Sequence, residues 1–253
     1  FVSNGQNIFI NTGLIMRANT PNEIIGVLAH ETGHIAGGHL SRSREAMNQA
    51  LGPMLISIGL GVLAIAAGAP DAGAALIAGS QGFAMANFVR FTQVQESSAD
   101  QAGATFLEQS GQSGRGLISF FDRQIRPFEW QTRRAPPWMM THPYSSDRVE
   151  ALRQRVDNAS NRDVVDTDDN IRRGMAPDDA RRAADNIRRF LFMHSKLIGF
   201  IRSEGQVLAR YPLRDTSQPA RYARAIAYYR QAKLDQARAE LDILISEDPH
   251  NPY

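Results

Sequence analysis

With 253 residues, 43% of them hydrophobic and 21% charged, the chain can form one large domain or a domain of about 150 residues with a smaller companion, and it is not an intrinsically disordered polymer. It has no cysteine, which excludes disulfides and cysteine-ligated zinc and leaves the redox compartment open. The net charge of +2 is unevenly spread, with twelve basic side chains against five acidic ones in residues 171–224; the dispersed arginines and the two aromatics, Phe190 and Phe192, read as a solvated helical face, and no nucleic-acid partner is expected.

The opening residues lack the basic start and apolar run of a secretion signal. They read instead as a strand at 7–10 and a turn at Asn11–Gly13, so the chain is expected to begin inside a domain, with any signal upstream. A helix is expected over 20–40, with Thr20 as N-cap, Pro21 at the first helical position and Glu23 completing a capping box. Ile24, Val27, Leu28 and Ile35 supply its apolar stripe.

Within that helix lies His30-Glu31-x-x-His34. Four positions apart, the two histidines sit about 40° apart around the axis and roughly 6 Å along it, so both imidazoles can hold one tetrahedral zinc ion. Glu31, beside the first, is placed to act as general base for a water at the ion. His39 falls one residue short of the spacing that would make a third ligand. If the helix continues, His39 points about 140° away from His34, and it reads as a supporting histidine.

Residues 46–89 carry a single charge, Asp71. The apolar run 51–69 could just span a bilayer, but Pro53, Gly59, Gly61 and Gly68 interrupt it and residues 68–73 look like a turn. A buried helical hairpin is the leading reading, and residues 51–89 leave membrane association open. A further helix is expected over 87–109. It offers Glu96 and Asp100 on one face, the first as third zinc ligand and the second as acceptor for the far nitrogen of a ligand histidine.

Residues 110–114 end that helix, and another is expected over 115–125. Residues 126–148 are proline-rich, aromatic and irregular, the kind of loop on which function often lies. Residues 157–185 read as a linker or mobile helical segment. Toward the end, Ala225, Tyr228, Ala232, Ala237, Leu241 and Pro249 stand where a tetratricopeptide repeat places its signature residues. One such unit cannot bury its own face, so a second is expected within 187–218.

In that order, "IFINTGLI", "VLAHETGHIAGGH", "ESSADQAG" and "THPYSSDR" resemble the gluzincin zinc metalloproteases related to HtpX, the type-I CAAX prenyl proteases and the periplasmic BepA/YfgC group, over residues 1 to about 150. The resemblance implies one zinc ion on His30, His34 and Glu96, with Glu31 as base and Asp100 behind a ligand. It also implies a later loop bringing His142 and Arg148 to the site. Water attack on a peptide carbonyl builds negative charge on oxygen, and His142 with Arg148 can stabilise it. The resemblance equally allows the loop histidine to cap the zinc and keep the enzyme latent.

The expected fold is therefore mainly α: a gluzincin-type peptidase domain with a small β element (1–156), the linker (157–185), and tetratricopeptide-like hairpins (186–253). The leading function is a zinc endopeptidase acting on misfolded or unassembled envelope polypeptides, with protein partners held by the repeats, in the periplasm or otherwise outside the cytoplasm. The rivals are a chaperone or assembly scaffold with a latent metal site, and an intramembrane protease using 51–69 as a span.

Overall fold

The computed structural model describes residues 2, 3, 6–124, 146–161 and 177–251. The chain is mainly helical and divides into two compact units, one of residues 1–9 and 25–163, the other of residues 10–24 and 164–253.

In the first unit, β1 (Val2–Ser3) pairs antiparallel with β2 (Asn7–Ile8), Val2 opposite Ile8. The strand is thus shorter than expected, and Asn11 opens a helix where a turn was expected. Its side chain accepts from Gly13 N at 2.7 Å and caps α1 (Thr12–Arg17).

The helix α2 (Pro21–Ala36) starts where the sequence implies, with one half of the expected capping box: Thr20 Oγ1 accepts from Glu23 N, but Glu23 Oε2 accepts at 2.7 Å from Asn19 N, one residue before the cap. It stops earlier than expected. Gly38 takes φ +61°, a left-handed conformation that ends the helix, and α3 (His39–Ala66) starts immediately after it.

From α3 the chain turns at residues 67–69 into α4 (Pro70–Gln109), one helix of 40 residues where the sequence suggested a turn and then a later start. The hairpin is present but it is not buried: Leu55, Ile56, Leu60 and Leu63 are each more than half exposed. Among the described residues, no helix is long and apolar enough to cross a membrane. The C-terminus of α4 closes at Gly111, with Gln112 N donating to Leu107 O at 2.8 Å.

Then follow α5 (Arg115–Gln124) and α6 (Ser146–Asp157). The core of this unit gathers Ala99, Leu107, Leu117, Phe120, Leu152 and Val156. A leucine sealed there contributes about 1.5–3 kcal/mol relative to exposure. Two missing side chains set the helix crossing that matters most. A Cβ on Gly33 would stand 2.6 Å from Ala99 O, and one on Gly103 would stand 3.0 Å from His30 N, so α2 and α4 meet backbone to backbone. That contact brings His30 and His34 against Glu96 and Asp100.

The second unit contains α7 (Pro177–Ile201), α8 (Glu204–Arg210), α9 (Gln218–Arg230) and α10 (Leu234–Glu247), with α1 packed on α7. α7 begins inside the stretch read as linker or mobile helix. Ser203 and Gln206 form the capping box of α8. Ile198, Val207, Ala223 and Ala227 form a core against which Met16 and Tyr211 pack. α9 and α10 are joined through Ala232 at φ 56°. Of the six repeat-signature positions, Ala225, Tyr228 and Ala237 are buried, whereas Leu241 is 39% exposed.

The basic segment is not uniformly a solvated face. Arg224 is 1% exposed, its Nε donates to Glu240 Oε1 at 2.6 Å, and its Nη1 donates to the carbonyls of Pro212 and Asp215 at 3.0 and 2.8 Å.

Candidate metal centre

His30 and His34 lie one turn apart on α2, and Glu96 and Asp100 one turn apart on α4. The Gly33–Ala99 and Gly103–His30 contacts press these two turns together. Three ligand atoms converge there, one each from His30, His34 and Glu96, all within 4.8 Å of one another.

The spacing can be tested against an ion. Tetrahedral zinc with ligand bonds of about 2.0–2.1 Å sets its ligand atoms about 3.3 Å apart. Here His34 Nε2 is 3.1 Å from His30 Nε2 and 3.3 Å from Glu96 Oε1, and His30 Nε2 is 3.5 Å from Glu96 Oε2. Two imidazole nitrogens and a carboxylate also form the usual nitrogen-and-oxygen donor set for zinc, and these residues, His30 and Glu96 buried and His34 partly so, fit the ion.

The surroundings orient these ligands. Asp100 Oδ1 accepts from His30 Nδ1 at 2.8 Å; an ionised carboxylate only accepts, so the proton sits on Nδ1 and Nε2 is the nitrogen turned to the ligand point. Burial alone would pull the pKa of His30 down, but the hydrogen bonds to Asp100 and Glu96 outweigh it and raise the value to about 9. The pocket therefore favours positive charge at this point. Burial would also raise Asp100, yet His30 and Arg148 hold its carboxyl below the usual range.

His39 is brought to the site by the break at Gly38. Its Nδ1 lies 2.9 Å from Nδ1 of His34, the ring nitrogen other than the one facing Glu96, and its carbonyl accepts from Gln95 Nε2 at 3.2 Å. The 140° separation expected of a continuous helix does not apply. Burial, and His34 beside it, lower the His39 pKa, which suits a neutral acceptor for the Nδ1 proton of His34.

Arg148 stands apart from its expected role. Its Nε and Nη2 donate to Asp100 at 2.7 and 2.9 Å, and its Nη1 lies 3.0 Å from Glu96 Oε2. It is 8% exposed and engaged with both carboxylates, which it braces behind the ligand atoms. Phe121 completes this wall, its ring edge-on to His30 and beneath the Arg148 guanidinium. The sequence reading missed Gln95 and Phe121, neither of which carries a local signal. Glu31 is buried next to His30, 4% exposed. His142 lies outside the described residues.

The model of peptidase family M48 matches residues 1–156. A relative from Vibrio cholerae serotype O1 is 28% identical over 98% of this chain and 49% of its own length. The beta-barrel assembly-enhancing protease of Yersinia pestis is 25% identical over 98% of this chain and 48% of its own. The metalloprotease LoiP of Escherichia coli K12 is 30% identical over 56% of this chain and 52% of its own. The chain thus spans about half the length of the curated relatives it matches. No solved structure gives a significant match. The paired histidines of α2, the glutamate of α4 and the family match over residues 1–156 together make the chain a member of peptidase family M48.

Proposed function

We propose that the chain is a gluzincin-type zinc endopeptidase acting on misfolded or unassembled envelope proteins. The observation that carries this reading is the convergence of His30, His34 and Glu96 at ligand spacing with Glu31 buried beside them. Zinc, held by those three residues, would polarise the peptide carbonyl and acidify the attacking water. Glu31 takes the proton from that water and passes it to the leaving amine nitrogen, so the amine departs neutral. Asp100 and Arg148 keep the His30 ring and the Glu96 carboxylate in register. His142 is assigned as donor to the carbonyl oxygen as it gains charge.

The remaining domain assignment follows the sequence. Residues 1–156 form the peptidase, 157–185 the linker, and 186–253 tetratricopeptide-like repeats, supported by the helix pair α9 and α10 with Ala225, Tyr228 and Ala237 buried. The repeats hold polypeptide substrates or partner proteins. Relatives named for enhancing beta-barrel assembly support a periplasmic setting and unassembled barrel proteins as substrates.

Casein cleavage by the native chain and by Glu31→Gln tests this reading. Loss of a general base lowers the rate by about a hundredfold to ten-thousandfold, with bound zinc unchanged. If Glu31→Gln instead supports the cellular role in full, the repeats act as an assembly scaffold and the peptidase reading fails.

A further inference from the structure

The hairpin of α3 and α4 presents an unusual surface. Leu55, Ile56, Leu60, Val62, Leu63 and Ile65 on α3 are 44–65% exposed. Each residue of a helix turns by about 100°, so these six side chains point to every side of α3 except the sector occupied by Gly61. That sector faces the other arm: a Cβ on Gly61 would stand 2.7 Å from Gly73 O, so the arms touch through their backbones. On α4, Leu76 is 44% exposed.

We propose that this hairpin inserts tip first into a lipid bilayer, both arms leaving through the face by which they entered. A protein partner or a second copy covers one stripe of a helix. Apolar side chains on all free sides match a solvent that surrounds the helix, and hydrocarbon is that solvent. Close backbone contact through glycines is how helices associate where water gives no driving force.

Charge supports the same occupant. Counted from the Gly61–Gly73 contact, the exposed Arg42 and Arg90 stand on the two arms at nearly one level, about 25–28 Å away. From residue 46 to the tip, and from the tip to residue 89, neither arm carries a charge; the one charge in residues 46–89, Asp71, stands at the tip itself, in the first turn of α4. With Arg44 and Glu45 beside Arg42, the base of the apolar hairpin carries three arginines against one glutamate, a net positive charge that fits anionic lipid headgroups. This inference rests on the hairpin surface and not on the peptidase reading.

Flotation of the purified full chain with phosphatidylethanolamine–phosphatidylglycerol vesicles, without detergent, tests it. The native chain rises with the vesicles. The combined variant Leu55→Ser, Leu60→Ser and Leu63→Ser, which alters only exposed positions, partitions about a hundredfold more weakly or worse, with unchanged circular dichroism. Arg42→Glu with Arg90→Glu weakens binding to these vesicles but not to phosphatidylcholine vesicles. Glu31→Gln floats like the native chain, which separates this result from the fate of the peptidase reading. A native chain that stays at the bottom overturns the proposal, as does a serine variant that floats equally well. So does a lipid-free dimer in sedimentation that the same serines dissociate, because a second copy would then be the occupant.

Discussion

Arg148 in the first unit and Arg224 in the second are both buried against carboxylates, yet the groups around them are arranged differently. Arg224 donates to both oxygens of Glu240 and to the carbonyls of Pro212 and Asp215, so the cluster is closed on itself. Arg148 secures Asp100 and Glu96, while His30, His34 and Glu96 still turn three ligand atoms toward one point. Burial of charge is common to both. What separates a structural clamp from a candidate reaction centre is the convergence of atoms that can accept a cation.

The largest effect that tests this contrast lies in the clamp. Glu240→Ala leaves the Arg224 guanidinium buried beside carbonyls alone, and it should destabilise the second unit by about 3–5 kcal/mol in urea unfolding. Casein cleavage per folded molecule should stay unchanged. A loss of activity as large as that of Glu31→Gln would erase the distinction between the two clusters.

Next in size is Arg148→Ala. Without the guanidinium, Glu96 and Asp100 lose the partner that holds them, and zinc affinity should fall about 10- to 100-fold in competition with a chelator. An unchanged affinity would reduce Arg148 to a packing residue.

The smallest effect is a pH dependence in the second unit. His194 is buried, stacks on Phe190, lies 3.0 Å from Met16 O through Nε2 and 3.4 Å from the Tyr211 hydroxyl through Nδ1. Burial, foremost, and Arg210 lower its pKa against the opposing pull of the Met16 carbonyl. The unfolded chain takes up this proton near pH 6.5, whereas the folded unit resists it to lower pH. Stability contributed by His194 should therefore decline as pH drops from about 7.5 through 6.5. Urea unfolding at both ends of that range should show a steeper loss for the native chain than for His194→Gln, and equal slopes would contradict it.

The site was more legible in the sequence than its supports were. The i, i+4 spacings of His30 with His34 and Glu96 with Asp100 need only a helix to put each pair on one face, so local periodicity carries them. That the two faces meet depends on Gly33 and Gly103, whose role emerges only when α2 crosses α4. The helix end at Gly38 is not legible, because a Gly-Gly pair can be accommodated within a helix, so the sequence hides the direction in which His39 points, though not its supporting place. Arg148 is 48 residues from Asp100, and nothing local assigns its partner. Composition marked residues 46–89 as apolar but could not say which solvent they face. Arg224 was hidden among dispersed arginines because burial is a tertiary fact.

Zinc content of the purified chain, measured by elemental analysis beside Glu96→Ala, tests the central claim most directly. One zinc per chain that falls sharply in the variant is expected if His30, His34 and Glu96 form the metal centre. Zinc that is unaffected by Glu96→Ala would place the third ligand elsewhere and contradict the reading of α2 and α4 as the two halves of one site.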